Sequence, residues 1–483
     1  MQSAEQKTDN IARNTTYYTS ALIVQKILAF IYFSLIARFM GVEDTGKYTF
    51  ALSFTTLFAI FIDLGLASVL TREIAKTKEK TQEYLSNILA LKIPFSCVVY
   101  LLVVGMINIL GYPSITKQLV YISGVIMFLD SFTLSFWAVM RGHQQLKFES
   151  IGVVGLQLIT VVLGGLALFL GLGLKFLILA LLCGSIFSFV LSAVTLKRKL
   201  NLSITARYNP QVLKFLFKIG VPFALMGIFS RVYTTLDTVL LSTLAGDIYV
   251  GWYSIPVKIT LALQFLPMAF MAALFPAMSE YFVSNKEKLK HTFEKAMDYL
   301  MIIGLPLSVG IIIIAKPVIL AVYTESYFNS ILPLRILMIS LFFLFINFPV
   351  GYLLNACNKQ VTNTINMGAA VLVSVVLNIV LIPKYAHVGA AIASLSSTLV
   401  LFSLGMYWVP KIVNYSKSYL LKNFIKILLS SAAMGIALYF LGPFMHFAWL
   451  ILAGVIIYFS VLFALGGVRK QDAIDVWKSI ARG

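Results

Sequence analysis

The sequence predicts an all-α integral membrane protein of 14 transmembrane helices, arranged as two related six-helix halves followed by two further helices. Three observations predict it. Of the 483 residues, 60% are hydrophobic and only 12% charged, where a soluble chain carries about 25% charged residues. Apolar runs long enough to cross a bilayer, at about twenty residues each, recur along the whole length. One stretch also repeats. Gly41, Gly46 and Tyr48 recur as Gly246, Gly251 and Tyr253 at a constant offset of 205, and the same offset carries Lys26 onto Arg231. A repeat that includes a cation inside an apolar run points to two halves, each presenting a positive charge at a matching depth.

The runs, in order, are residues 17–39, 48–70, 88–110, 118–140, 151–171, 175–196, 215–244, 249–275, 296–315, 331–355, 361–382, 387–409, 424–441 and 447–467. Backbone in lipid must satisfy its own hydrogen bonds, so these runs are helices; a β-barrel would show short alternating segments instead. A polar stretch of about fifteen residues precedes the first run, which is longer than a signal-peptide core and lacks a small-residue cleavage site, so it reads as a retained span. The basic stretch 197–218 joins the sixth run to the seventh, and an anchor to anionic lipid is its simplest reading. The expected divisions are residues 1–200, residues 201–412 and residues 413–483. In the last of these, Ile474, Trp477 and Ile480 recur at helical spacing among charged residues, as in an interfacial helix.

Lysine and arginine counts in alternate connections orient the chain. Of the cations between the runs, twenty-seven fall on the side of the N-terminus and six on the other. This predicts a multi-pass protein of the cytoplasmic membrane with both termini in the cytoplasm. It also accounts for most of the net charge of +19, so nucleic acid is excluded as a partner.

Charge inside the runs is the exceptional feature. Lys26, Lys92, Arg231, Lys258 and Arg335 lie there with Asp63, Asp130 and Asp237. Each costs about 2.5–3.5 kcal/mol at a helix centre even on a lenient scale, so a wet cavity or a functional gain is implied. Lys92 and Arg335 lie about one turn inside their runs and can snorkel to the interface. Lys26, Arg231 and Lys258 lie deeper, about 13 Å or more from the nearer end. Asp63 and Asp130 read equally well as structural partners of a neighbouring cation. Asp237 follows Arg231 by six residues, a spacing that does not share a helical face. Pro222, Pro256, Pro267, Pro306 and Pro349 mark places where helices can bend.

Several chemistries are excluded. No glycine-rich phosphate loop with a following lysine is present. The four histidines are dispersed without zinc-type spacing, so no metal, cofactor or catalytic residue is expected. Cys97, Cys183 and Cys357 read as small apolar core residues. The outward loops are too short for the paired acids of a glycosyltransferase. The chain reads as a secondary transporter rather than an enzyme.

Asp63-Leu64-Gly65-Leu66 followed by Arg72-Glu73-Ile74-Ala75, then Arg141-Gly142-His143-Gln144, then Leu377-Asn378 and Ile382-Pro383-Lys384-Tyr385 through Gly389-Ala390-Ala391-Ile392-Ala393, resemble segments of the polysaccharide or O-antigen-type flippases. These are lipid-linked oligosaccharide transporters of the multidrug/oligosaccharidyl-lipid/polysaccharide exporter superfamily. The resemblance implies two pseudo-symmetric six-helix bundles forming a V-shaped central cavity. It implies movement of an undecaprenyl-pyrophosphate-linked oligosaccharide from the inner to the outer leaflet by alternating access. Lys26, Arg231, Lys258 and Lys92 are the matching candidates for a cationic cavity that holds the pyrophosphate, where Arg offers a fork and Lys a point charge. Gln25 and Asn347 could bond sugar hydroxyls. Asp63, Asp130 and Asp237 are the candidates for coupling to H+ or Na+. Expected partners are the lipid-linked substrate, membrane lipids, and a polysaccharide polymerase with its chain-length partner. The rival readings are a multidrug/cation antiporter of the same superfamily, a membrane polymerase or ligase, and a non-transporting scaffold of a glycan assembly complex.

Overall fold

A computed structural model describes residues 2–467, without the side chains of residues 2–16 and of Pro222. The amphipathic pattern of Ile474, Trp477 and Ile480 lies outside the described residues. Every described element is helical: α1 (Gln2–Asp63), α2 (Leu66–Lys76), α3 (Thr81–Ile109), α4 (Ser114–Gly142), α5 (Leu146–Phe169), α6 (Leu174–Leu200), α7 (Pro210–Ala245), α8 (Asp247–Leu263), α9 (Phe265–Ser284), α10 (Lys286–Val322), α11 (Ile331–Ala356), α12 (Gln360–Trp408), α13 (Lys417–Leu441) and α14 (Phe447–Ala464), with three short 3-10 turns.

Among the described residues, twelve helical stretches are long and apolar enough to cross a membrane. Two of them are far longer than one crossing needs. Tyr17–Asp63 has 47 residues and Gln360–Lys411 has 52, about 70–80 Å of helix against an apolar core of about 30 Å. Both are broken by non-helical backbone, at Gly41 (φ 78°, ψ 178°) and at Ala386 (φ 47°, ψ −126°). These breaks fall in the gaps expected between 17–39 and 48–70 and between 361–382 and 387–409.

The expected run 48–70 is cut short. Its helix ends at Asp63, and Leu64 (φ 44°) and Gly65 (φ 73°) turn the chain into α2. Gly65 lies against the backbone of Phe223 and Ala224 on α7, where a Cβ has no room. The expected run 249–275 is instead α8 and α9, parted at Gln264. Pro267 explains the site of the break, because it cannot donate to the carbonyl four residues earlier, that of Leu263.

Cα packing divides the chain into two compact units, between Ser254 and Ile255. In the first, α1 is fixed to its neighbours by polar contacts seven residues apart. The Tyr18 hydroxyl donates to Glu149 at 3.1 Å, Gln25 to Gln157 at 3.4 Å and Tyr32 to the Leu177 carbonyl at 3.3 Å. The heptad spacing keeps all three on one side of the helix.

Two apolar clusters fill this unit. One holds Ile36, Phe50, Phe54, Ile62, Val103, Met127 and Leu177; the other holds Leu66, Leu70, Ile88, Leu89, Phe132, Phe136 and Leu196. Helices α3, α4 and α6 contribute to both, and on each the polar residues Lys92, Asp130, Ser131 and Ser185 fall between the two contributions.

The second unit carries the last two helices on one stripe of α10. Glu294 accepts from the Ser416 amide at 2.7 Å, Asp298 from Asn423 at 2.7 Å, and the Ile302 carbonyl from the Tyr458 hydroxyl at 2.9 Å. These α10 positions are four residues apart, one above another on a helix. The expectation that the cysteines are core residues holds only for Cys357; Cys97 and Cys183 are exposed. The outer surface of a membrane helix faces hydrocarbon, where a thiol is at no disadvantage.

Candidate functional site

The embedded charges separate into engaged and open groups. Lys92 is fully buried. Its ammonium donates to Asp63 Oδ1 at 2.7 Å, to the Ser131 carbonyl at 2.9 Å and to Ser131 Oγ at 3.2 Å. All three donors are used, so snorkelling is ruled out for Lys92. The depth of α3 and the end of α1 dictate this: a lysine placed between two apolar clusters has no path to water and must be neutralised where it stands. Arg335 is exposed, and its Nε donates to the Ile312 carbonyl at 3.1 Å.

Asp237 pairs with no arginine among the described residues. Its Oδ2 accepts from the Tyr253 hydroxyl at 2.6 Å, and its Oδ1 from the Thr238 amide at 2.8 Å. Asp130 accepts from Ser185 at 2.7 Å and is otherwise exposed, although it lies in mid-helix. Lys258 is partly buried on α8 in the second unit.

Lys26 on α1 and Arg231 on α7 stand apart from these. Both side chains are exposed, and neither makes a hydrogen bond or ion pair among the described residues. Gln25, the neighbour of Lys26, is committed to Gln157 on α5, which turns Lys26 about 100° away from that contact on the same helix.

The repeat is real in three dimensions. Gly41 (φ 78°, ψ 178°) and Gly246 (φ 109°, ψ 167°) adopt the same backbone, a region open essentially to glycine alone. Each is followed by a helix that begins a hairpin's second arm. Gly46 lies against the Asp247 carbonyl and Gly251 against the Val42 carbonyl, with no space for a Cβ at either. Val42 and Asp247 are themselves 205 residues apart, so the two contacts are one contact seen from both ends of a pseudo-twofold. A polar collar surrounds it. Ser242 donates to Asp247 at 2.5 Å, Tyr112 lies 2.9 Å from Ser242, and Lys47 pairs with Glu43 at 2.9 Å and Asp44 at 3.2 Å.

The family described as polysaccharide biosynthesis protein matches residues 11–282, more than half of the chain. The chain belongs to that family. A second family, MatE, matches residues 222–380. Among relatives of this polysaccharide biosynthesis family member, the capsular polysaccharide biosynthesis protein CapF of Staphylococcus aureus is 22% identical, over 83% of this chain and 100% of its own. The probable low-salt glycan biosynthesis flippase of Haloferax volcanii is 23% identical, over 85% of this chain and 86% of its own. Among solved structures, the lipid II flippase MurJ in an inward closed conformation aligns with TM-score 0.77 at 17% identity, covering 92% of this chain and 97% of that one. An inward-facing multidrug resistance MATE transporter aligns with TM-score 0.65 at 16% identity, over 81% and 98%. The fold is therefore that of the MurJ and MATE transporters, and the chain is a multi-pass membrane protein.

Sequence reasoning singled out eight embedded charges yet missed Glu149, Glu294 and Asp298, which are buried. Asp298 lies inside the expected run 296–315, and Glu149 and Glu294 each lie two residues before a run. The signal was there in each case as an acid within a turn or two of an apolar run, but one sequence cannot say which neighbouring helix supplies the partner.

Proposed function

We propose that this chain is a flippase that moves an undecaprenyl-pyrophosphate-linked oligosaccharide from the inner to the outer leaflet of the cytoplasmic membrane by ion-coupled alternating access. The observation that carries the reading is the pair Lys26 and Arg231. Two cations at equivalent positions of a structural repeat stay exposed in mid-span and unpaired among the described residues, within a family of polysaccharide biosynthesis proteins. An embedded cation without a partner is costly, and a pyrophosphate is the group whose lost hydration such cations replace.

In this reading Lys26 and Arg231 bind the pyrophosphate, and Lys258 on α8 is a further candidate. Lys92 joins them only if its bond to Asp63 opens. Asp130 is the foremost coupling candidate for H+ or Na+, because it is exposed and holds one hydroxyl, whereas Asp63 is neutralised by Lys92 and Asp237 is held by Tyr253. The helices broken at Gly41 and Ala386 count as two crossings each. That makes fourteen spans in two halves, residues 1–200 and residues 201–412, with residues 413–483 added and both termini cytoplasmic. The chain acts as a transporter with no catalytic step of its own, beside a polymerase and its chain-length partner.

Reconstitution with a defined lipid-linked oligosaccharide and a leaflet-specific readout, with and without H+ or Na+ gradients, tests the proposal. The Lys26→Ala, Arg231→Ala double variant is expected to insert normally and to lose most flipping. Undiminished flipping by that variant would refute the cation role. The MatE match keeps a multidrug antiporter in view; drug resistance conferred on an efflux-deficient host, without flipping, would favour it.

A further inference from the structure

We propose that the segment joining α6 to α7 is a rigid strap whose face docks the anionic headgroups of a phospholipid leaflet. The connection spans residues 201–209, between the ends of two membrane-length helices. A connection that merely joins helices runs loose over the surface. This one is read by side chains of α3. The Gln82 amide grips Ser203 from both sides, donating to its carbonyl at 2.8 Å and accepting its N–H at 2.8 Å. The Arg207 amide donates to the Ser86 carbonyl at 3.2 Å, and the Asn209 amide to Asn87 Oδ1 at 2.6 Å. Asn209 then caps α7, its own Oδ1 accepting from the Gln211 amide at 3.0 Å.

What the strap holds in place is positive charge. Lys197, Arg198, Lys199, Arg207, Lys214 and Lys218 lie on it and on the helix turns it joins, all exposed. None makes an ion pair among the described residues. Clusters of this size beside a membrane helix are drawn to anionic lipid. Exposed apolar side chains are interleaved with them, Ile204 at 46%, Tyr208 at 72% and Phe215 at 43%. A site for free phosphate has no use for those three. A leaflet surface offers both a negative headgroup layer and acyl chains just beneath, and the strap joins the end of α6 to the start of α7. Fixing the backbone beforehand lowers the entropy lost when the face is ordered against lipid.

The test uses the purified full-length chain, with phosphatidylglycerol and phosphatidylcholine binding compared by native mass spectrometry. Preference for phosphatidylglycerol is expected, and each neutralised cation should weaken it about fivefold. The Arg198→Gln, Lys199→Gln, Arg207→Gln, Lys214→Gln variant should therefore lose the preference. If that variant melts early, the Arg207→Gln and Lys214→Gln single variants give the same reading at one step each. The Gln82→Ala, Asn87→Ala variant keeps every cation and frees the strap; its preference should fall in part. Inorganic phosphate should displace nothing. An unchanged preference in the cation variants, equal binding of the two lipids, full preference in the freed strap, or displacement by phosphate each overturns the proposal.

Discussion

Gly46 and Gly251 stand in for one another across a pseudo-twofold: each lies on the carbonyl of the residue four positions before the other, Asp247 and Val42. No side chain fits at either place. A methyl group there must push two helix starts apart, and overpacking of this kind costs about 1–3 kcal/mol. Gly46→Ala and Gly251→Ala are each expected to lower thermal stability of the purified protein by that order, with the double variant less than additive because both relieve the same contact. Gly41 differs: its surroundings are open, so Gly41→Ala should cost only the backbone strain of its positive φ, about 1–3 kcal/mol. Melting temperatures unchanged in Gly46→Ala and Gly251→Ala would mean that the two hairpins do not touch.

Lys92 and Asp63 neutralise each other inside the first unit. Lys92→Met should destabilise by about 3–5 kcal/mol by stranding one charge. The Lys92→Met, Asp63→Leu variant should recover most of that loss, since an apolar pair of similar volume often replaces a buried ion pair at little cost. A double variant no more stable than the single would show that the pair does more than cancel charge. Denaturant or thermal unfolding of the four proteins completes the cycle.

His143 sits outside the spans, at the end of α4, with Nε2 3.0 Å from the Thr81 hydroxyl. Burial, and next Lys78, hold its pKa below the ordinary 6.5. The folded protein therefore binds a proton less readily than the unfolded chain. The stability contributed by neutral His143 is complete above pH 6.5 and declines as pH falls below it. Melting temperature against pH should show this decline in the wild type and less of it in His143→Gln. Parallel curves would remove the histidine from the account.

Glu294 and Asp298 hold α13 on α10 through the Ser416 amide and Asn423. Removing one partner of a buried hydrogen bond costs about 1–3 kcal/mol. Glu294→Ala and Asp298→Ala should loosen the connection at residues 412–416, seen as faster proteolysis there with the rest of the chain intact. Cleavage at the wild-type rate in both would show that apolar packing alone secures the last two helices.

The spans were legible because lipid imposes a simple rule: about twenty apolar residues, with backbone bonds made within the helix. Gly41 and Gly246 were legible because a repeated glycine beside an apolar run marks a backbone that other residues cannot adopt. Cys97 and Cys183 misled, because in a membrane protein an apolar residue is as content on the outer surface as in the core. The end of α1 at Asp63 misled as well, because the hydrophobic run passes through Leu64 and Gly65 without a change in composition.

By itself the sequence determined that the chain is helical, that it lives in a bilayer, that the stretch around Gly41 recurs around Gly246, and that Lys26, Lys92 and Arg231 lie within apolar runs. Each of these follows from local chemistry along the chain. The tertiary structure alone decided which embedded charge has a partner. Lys92 and Lys26 are alike as lysines within apolar runs; only the packing of α3 against α4 and the end of α1 brings Asp63 and Ser131 to the first, while the turn of α1 on α5 leaves the second exposed. Electrostatic pairing acts over a few ångströms, and residues 29 and 39 positions apart come within that range only when helices pack.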